Sequence, residues 1–196
     1  KKKLKILDVG GFRIDAEYRN NLLLKEFLPQ HTIFSIDMEE SNTPGSIRGD
    51  ALQLPFKEHA FDIVVSSDVL EHINPADRLK FLDNLLNTAK DFLILGAPFS
   101  SKQTALAEQI LFEYIRKVLH AQQEQLMEHI KNKLPETGLI EETLKGRGYD
   151  YIEFDSGNLN NWLLMMMVKH YLMSIPDSEH LQIMLDRFCN MNFYER

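Results

Sequence analysis

The 196 residues include 44% hydrophobic and 26% charged side chains, ordinary for a globular chain long enough to bury a full core. The net charge of −7 speaks against nucleic-acid binding, which would call for a basic stripe. The single cysteine, Cys189, cannot form an internal disulfide, and no apolar run reaches the roughly 18 residues of a bilayer span; a cytoplasmic protein with no membrane span is expected.

The chain opens on Lys1, Lys2, Lys3 and Lys5, read here as the solvated lead-in to a strand. It begins with lysine rather than methionine, which fits a segment of something longer. Leu4 to Val9 is the first apolar, β-rich run, closed by Gly10 and Gly11. Ala16 to Leu28 places Leu22, Leu23, Leu24, Phe27 and Leu28 in a helix that stops before Pro29. Thr32 to Asp37 is a second strand, and Ser46 to Gly49 a short third one after a turn-rich stretch. Phe61 to Ser67 is the fourth. Pro75 to Ala89 reads as a helix with Leu79, Leu82, Leu85 and Leu86 on one side and proline in its first turn. Phe92 to Ala97 is the fifth strand.

Beyond Pro98 the pattern turns helical. Leu106, Ile110, Tyr114, Val118 and Leu119 recur at helical spacing within 103–133, and Thr137 to Lys145 is a further helix ending at Gly146 and Gly148. Tyr149 to Phe154 reads as a sixth strand. Two more helices follow, one through Trp162, Met166 and Met173 and one through Leu181, Met184 and Phe188. Strands that are apolar on both faces and separated by helices predict an α/β fold with a doubly wound, mostly parallel, Rossmann-like sheet covered on both sides. The expected organisation is one domain over 1–196, with a helical insertion at about 99–135 and a helical C-terminal extension at about 158–196. The insertion, following strand 5, is expected to lie over the carboxyl edge of the sheet and help enclose a substrate.

Ligands of such sheets bind outside the carboxyl ends of the strands. Asp8, Gly10 and Gly11 close strand 1, Asp37 closes strand 2, Asp50 and Ala51 follow strand 3, and Ser66, Ser67 and Asp68 close strand 4. Taken singly, an Asp after a strand is a turn or cap residue, and paired glycines are a tight turn. Taken in series, acids at the ends of three successive strands suit an adenosine: Asp37 for the ribose hydroxyls, Asp50 and a neighbouring amide for the adenine edge. A dinucleotide site would want G-x-G-x-x-G. The stretch here is GGFRID, with no second or third glycine in Arg13 to Asp15 and an acid facing any pyrophosphate. A ligand with a cationic centre and no phosphate fits that loop better.

The stretches "ILDVGG", "FSID", "GDALQLPFKEHAFDIVVSSDVLEHI" and "ILGAPF" resemble the successive motifs of class I S-adenosylmethionine-dependent methyltransferases, of the methyltransferase-domain type 11 kind. The resemblance covers residues 4–98. The remainder, including "LMEHI", "LIEETLKGRGY" and "NWLLMMMVKHYL", is similar to bacterial methyltransferase domains found beside glycosyltransferases. The resemblance implies S-adenosyl-L-methionine as cofactor, with Asp8, Gly10 and Gly11 along its methionyl part. It implies Asp37, with Met38 beside it, at the ribose, and Asp50, Ala51 and Leu52 around the adenine. Ser67 and Asp68 would lie along the cofactor at the strand 4 end. The glycine loop is shorter than the family's usual G-x-G-x-G. The family's strand 7 is either absent or beyond Arg196.

Methyl transfer from a sulfonium needs a general base only if the acceptor carries a proton at neutral pH, as a hydroxyl does. His72, with Glu71 beside it, follows strand 4 and is the candidate catalytic residue; the alternative is that both only cap the loop. His129 and His31 are weaker candidates, the second at the opposite edge of the sheet. No metal site is expected. The expected partner is a small-molecule or sugar acceptor, and a homodimer or a covalent fusion to further domains stays open. Two other functions remain as alternatives: a cofactor-binding module without catalysis in a larger polysaccharide-assembly protein, and a nucleotide-dependent oxidoreductase, disfavoured by the loop.

Overall fold

The structure is a computed structural model and describes residues 2–11, 22–155 and 157–189. The chain divides into two compact units, Lys1–Pro98 and Phe99–Arg196.

The first unit holds a five-stranded, all-parallel sheet in the order β3-β2-β1-β4-β5. The strands are β1 Lys5–Val9, β2 Thr32–Asp37, β3 Ser46–Arg48, β4 Phe61–Ser67 and β5 Ala89–Gly96. β1 sits between β2 and β4, so Ile6, Leu7 and Val9 are buried on both faces. That position explains why its sequence is a continuous apolar run rather than an alternating one.

Helix α1, Leu23–Phe27, covers one face. There Leu22, Ile6 and Ile33 form a buried cluster, with Leu24, Leu28, Ile63 and Val65 against it. The residues before it, 12–21, which hold Arg13 to Asp15 and the first six residues of the expected first helix, lie outside the described residues. Against β4 and β5 packs α2, Arg78–Thr88. Arg78, Phe81, Leu82, Leu85 and Leu86 are buried at the spacing of one helical stripe. Each apolar side chain so removed from water stabilises the fold by about 1.5–3 kcal/mol before ordering costs. Asn74 caps the 3-10 turn ahead of this helix, its Oδ1 accepting the Ala76 N–H at 3.0 Å.

The lysine-rich start is tied down locally. Lys2 pairs with Asp62 at 2.9 Å, the Lys5 N–H donates to the same carboxylate, and the Lys5 ammonium lies 4.3 Å from the Phe61 ring centroid.

Two strand expectations need correction. β5 begins at Ala89, not Phe92, and the preceding helix stops at Thr88. The ladder runs Phe61↔Ala89 and then Ile63↔Phe92, so β5 carries one extra residue in a bulge at Lys90 and Asp91. Two exposed charges in the bulge hide the strand from its hydrophobic pattern. The second correction is Tyr149 to Phe154, which forms no strand. An apolar alternation becomes a strand only where a neighbour takes its backbone bonds. Here Ile152 and Phe154 stand 89% and 78% exposed, and the Tyr151 hydroxyl is held instead by Glu141 at 3.1 Å.

The second unit is helical: α3 Lys102–Lys117, α4 Glu124–Asn132, α5 Thr137–Gly146, α6 Leu159–Met173 and α7 Glu179–Cys189. Its core joins Leu111 and Ile115 of α3 to Leu126 of α4, with Trp162, Leu163, Met166 and Met167 of α6 packed on them. Side-chain caps start three of the helices, from Ser101, Gln123 and Asn158. Lys169 and Asp186 tie α6 to α7 at 3.0 Å. Among the described residues no helix is long and apolar enough to cross a membrane.

One titration follows from this packing. Burial, with the Lys169 charge beside it, holds His170 of α6 below its ordinary value of 6.5. The unfolded chain therefore takes up this proton more readily than the folded one. The contribution is complete above the ordinary imidazole value and is lost as pH falls through it and then through the lowered one. Between about pH 7.5 and about pH 5, a His170→Gln variant should lose less thermal stability than the parent chain. Equal acid losses in the two proteins would show that His170 contributes nothing to the decline.

Candidate functional site

The strand order reverses direction at β1, with β2 and β3 built outward on one side and β4 and β5 on the other. The crevice at the carboxyl ends of β1 and β4 is therefore the switch point of the sheet. The polar residues singled out from the sequence in the first unit gather along that edge, at the ends of four neighbouring strands or in the turns leading from them.

At the β1 end, the chain turns sharply because Gly10 adopts φ +78°, a left-handed conformation open to glycine. Its N–H still donates to the Ile36 carbonyl at 2.9 Å, so the turn begins while the ladder to β2 is intact. A side chain has no room in this turn. A Cβ on Gly10 would lie 2.3 Å from Val69 Cγ2, and one on Gly11 2.0 Å from Asp8 Oδ2. The buried Asp8 carboxylate thus reaches over Gly11, and the two glycines leave a bare backbone at the strand end.

At the β2 end, Asp37 is half-buried and its Oδ1 accepts the Glu39 N–H at 3.0 Å, fixing the turn that follows. Met38 projects outward at 72% exposure, and its carbonyl accepts from Arg48 Nε at 3.2 Å. After β3, Asp50 caps a 3-10 turn at Ala51–Gln53, its Oδ1 accepting the Leu52 N–H at 2.8 Å. The Leu52 amide is thereby committed within the turn, and Ala51 and Leu52 are half-buried. Asn84 of α2 donates to the Ala51 carbonyl at 3.0 Å and anchors this turn to the helix. Arg48 and Asn84 carry no sequence signal for such work: each is a polar residue on an exposed or mixed surface.

At the β4 end, Ser67 and Asp68 are exposed. Ser67 Oγ donates to Asp68 Oδ2 at 3.2 Å, and the Asp68 N–H donates to the Gly96 carbonyl at 3.0 Å. Asp68 itself has φ +56°, so the chain breaks sharply out of the strand here. Ser66 is buried within β4, out of reach of a crevice ligand.

The loop continues into Glu71 and His72, which differ in setting. Glu71 is buried, and its charge acts on the buried Arg78 at the start of α2. Burial pulls the Arg78 guanidinium below its ordinary value while the Glu71 carboxylate opposes that shift. Arg78 Nε also donates to the Ile73 carbonyl at 3.2 Å, so this pair holds the loop on the helix. His72 is half-buried, with its backbone N–H on the Val69 carbonyl at 3.0 Å. The two weaker candidates have local duties. His31 Nδ1 accepts the Leu4 N–H at 3.1 Å, and His129 is bound to Glu108 at 2.8 Å in the second unit. A cleft of about 420 Å³ in the second unit, walled by Ile115, Leu119, Gln123 and His170, contains none of the expected cofactor residues.

Residues 24–91 match the family described as methyltransferase domain. The matched stretch holds Asp37, Met38, Asp50, Ala51, Leu52, Ser67, Asp68 and His72, while Asp8, Gly10 and Gly11 precede it. Among solved structures, the chain is similar to the YcgJ protein of Bacillus subtilis at 14% identity, covering 93% of this chain and 76% of that one with a TM-score of 0.54. It is similar to a SAM-dependent methyltransferase from Archaeoglobus fulgidus at 15% identity, covering 98% and 82% with a TM-score of 0.51. These likenesses show the fold. No curated protein matches the chain. Residues 24–91 are thus similar to a methyltransferase domain, and the chain shares the fold of a solved S-adenosylmethionine-dependent methyltransferase.

Proposed function

We propose that the protein transfers a methyl group to a hydroxyl of a small-molecule acceptor, a sugar in the first instance, with His72 as the group that receives the proton. One observation carries the reading of the site: the bare glycine turn at β1, Asp37 at β2, the Asp50 turn after β3 and the Ser67–Asp68 turn at β4 all follow the carboxyl ends of neighbouring strands in one sheet, on either side of its switch point.

The residues suit S-adenosylmethionine. The turn at Gly10 and Gly11 lets a chain approach the backbone where any Cβ would collide, and it lacks phosphate-binding glycines beyond Gly11. Asp8 and the two glycines would hold the methionyl part, and Asp37, with one oxygen engaged by Glu39, would accept the ribose hydroxyls. Met38, Ala51 and Leu52 would flank the adenine, with Asp50 shaping the turn around it. Ser67 and Asp68 would line the cofactor beside β4.

S-adenosylmethionine supplies a methyl group already activated on a sulfonium. Held by these residues, it would supply that methyl group to the acceptor oxygen, and His72 would receive the hydroxyl proton. The protein's main task is to position the acceptor and exclude water, which can supply about 7 kcal/mol of the barrier or more.

An Asp37→Ala protein tests the cofactor assignment. Hydrogen bonds to a charged acceptor contribute about 1.5–3 kcal/mol each, so calorimetry should show S-adenosylmethionine affinity reduced by about tenfold or more. Unchanged affinity would sink the role of Asp37. S-adenosylhomocysteine released on mixing the parent protein with sugar acceptors would support the activity; cofactor binding without release across hydroxyl acceptors would favour a non-catalytic module.

A further inference from the structure

We propose that Asn84 is a positioning residue for the adenine end of the cofactor. Through the Ala51–Leu52 peptide it aims the Asp50 carboxylate, so that the site prefers a 6-aminopurine over a 6-oxopurine. The inference rests on the reading that the Asp50 turn borders the adenine, and it adds the group that holds that turn in place.

The turn has little to hold it by itself. Ala51–Gln53 is a 3-10 turn of three residues, none of them buried, so apolar packing does not fix it. Inside it, the Gln53 N–H donates to the Asp50 carbonyl at 2.9 Å and the Leu52 N–H to Asp50 Oδ1 at 2.8 Å. Those bonds fold the turn on itself without tying it to its surroundings. Its entry is tied to β2, where the Gly49 N–H donates to the Asp37 carbonyl at 2.8 Å. The turn itself is tied to α2 by Asn84, whose Nδ2 donates to the Ala51 carbonyl at 3.0 Å from 33 residues away in sequence. Asn84 works from a firm base: it is half-buried on a helix whose rotation is set by the buried Phe81, Leu82 and Leu85. Asparagine is a poorer helix former than alanine or leucine, so the helix itself gains nothing from it.

The Ala51 carbonyl and the Leu52 N–H are the two ends of one planar peptide group. Asn84 holds its carbonyl end and Asp50 Oδ1 holds its amide end. A chain of hydrogen bonds thus runs from Asn84 through the peptide to Asp50, and in such a chain each bond polarises and orients the next. With Oδ1 committed to the Leu52 N–H, the direction of Oδ2 is set as well, because both oxygens share one rigid plane. A carboxylate has roughly four acceptor sites, so Oδ2 keeps capacity for a donor from a ligand. The exocyclic amine of adenine is such a donor. The 6-oxo group of hypoxanthine is an acceptor, and against a carboxylate it would leave two acceptors unpaired. Without the Asn84 amide the peptide is free to tilt, and Asp50 loses its aim.

The test is calorimetry with S-adenosylhomocysteine and S-inosylhomocysteine, which carry the 6-amino and the 6-oxo purine. The parent protein should bind the amino form about tenfold or more tightly than the oxo form. Asn84→Leu keeps the size of the side chain and removes the donor. It should weaken S-adenosylhomocysteine binding about fivefold and S-inosylhomocysteine binding much less, so the preference narrows. Asp50→Asn keeps an oxygen for the Leu52 N–H and turns an amide N–H₂ toward the ligand. It should shift the preference toward the oxo form, and adding Asn84→Leu should reduce that shift. Circular-dichroism melts give the folded fraction on which each affinity is based. An Asn84→Leu protein that keeps the parent's preference, or that loses both compounds equally, would overturn the proposal and leave Asn84 a support of the fold alone. A parent that binds both compounds equally, or an Asp50→Asn protein with no shift, would overturn it while the cofactor reading stands. A parent that binds neither compound would overturn the cofactor reading and the proposal with it.

Discussion

Replacing His72 with alanine should lower methyl transfer to a hydroxyl acceptor by about 10²–10⁴-fold while leaving S-adenosylmethionine affinity nearly unchanged. The expectation rests on a division of labour within one loop. Glu71 is buried with its charge turned on Arg78, so it serves the loop's attachment to α2. His72 next to it is half-buried and remains the histidine of the first unit placed after a carboxyl strand end. His31 has its Nδ1 committed to the Leu4 amide at the opposite edge. A hydroxyl loses its proton as the new bond forms, and an imidazole beside it can take that proton. Calorimetry with S-adenosylmethionine and a thermal melt on the same variant separate loss of the base from loss of the fold. Turnover within a few-fold of the parent would mean that positioning alone drives the reaction.

The second large effect is structural. Gly10→Ala should destabilise the first unit by about 3 kcal/mol, combining about 1–2 kcal/mol for a left-handed non-glycine backbone with the overlap against Val69. For a chain of this size that is about 6–12 °C in the melting temperature. Because the same turn is the proposed seat of the methionyl group, cofactor affinity should fall in the folded fraction as well. Adding Val69→Ala separates the two causes. It removes the overlap at Cγ2 but leaves the backbone cost, so the double variant should recover part of the loss relative to Val69→Ala alone, and never all of it. A Gly10→Ala protein that melts with the parent would show that the turn relaxes freely and that its conformation imposes no demand for glycine.

Much of the first unit is written locally. β1, β2 and β4 are buried parallel strands, and burial on both faces demands continuous apolar runs that stand out in a single sequence. The residues at their carboxyl ends, Asp8 through Gly11, Asp37 and Ser67 with Asp68, stand out for the same reason: polarity and glycine appear abruptly where the apolar run stops. The Asp50 cap is also local, since its partner is the amide two residues on.

Other features depended on partners remote in sequence. The start of β5 is set by its ladder to Phe61 and Ile63, which overrides the charged Lys90 and Asp91. Tyr149 to Phe154 has a strand's composition, yet composition cannot supply the neighbouring backbone that a strand needs, and the segment stays outside any sheet with its apolar side chains in water. Asn84 reaching Ala51, Glu71 acting on Arg78 and Val69 pressing on Gly10 are likewise tertiary. The sequence by itself determined which residues stand at the strand ends, because burial and turn chemistry act over a few neighbouring residues. Only the tertiary structure decided the order of the strands, and with it which of those ends meet in one crevice, because pairing joins segments that no local pattern connects.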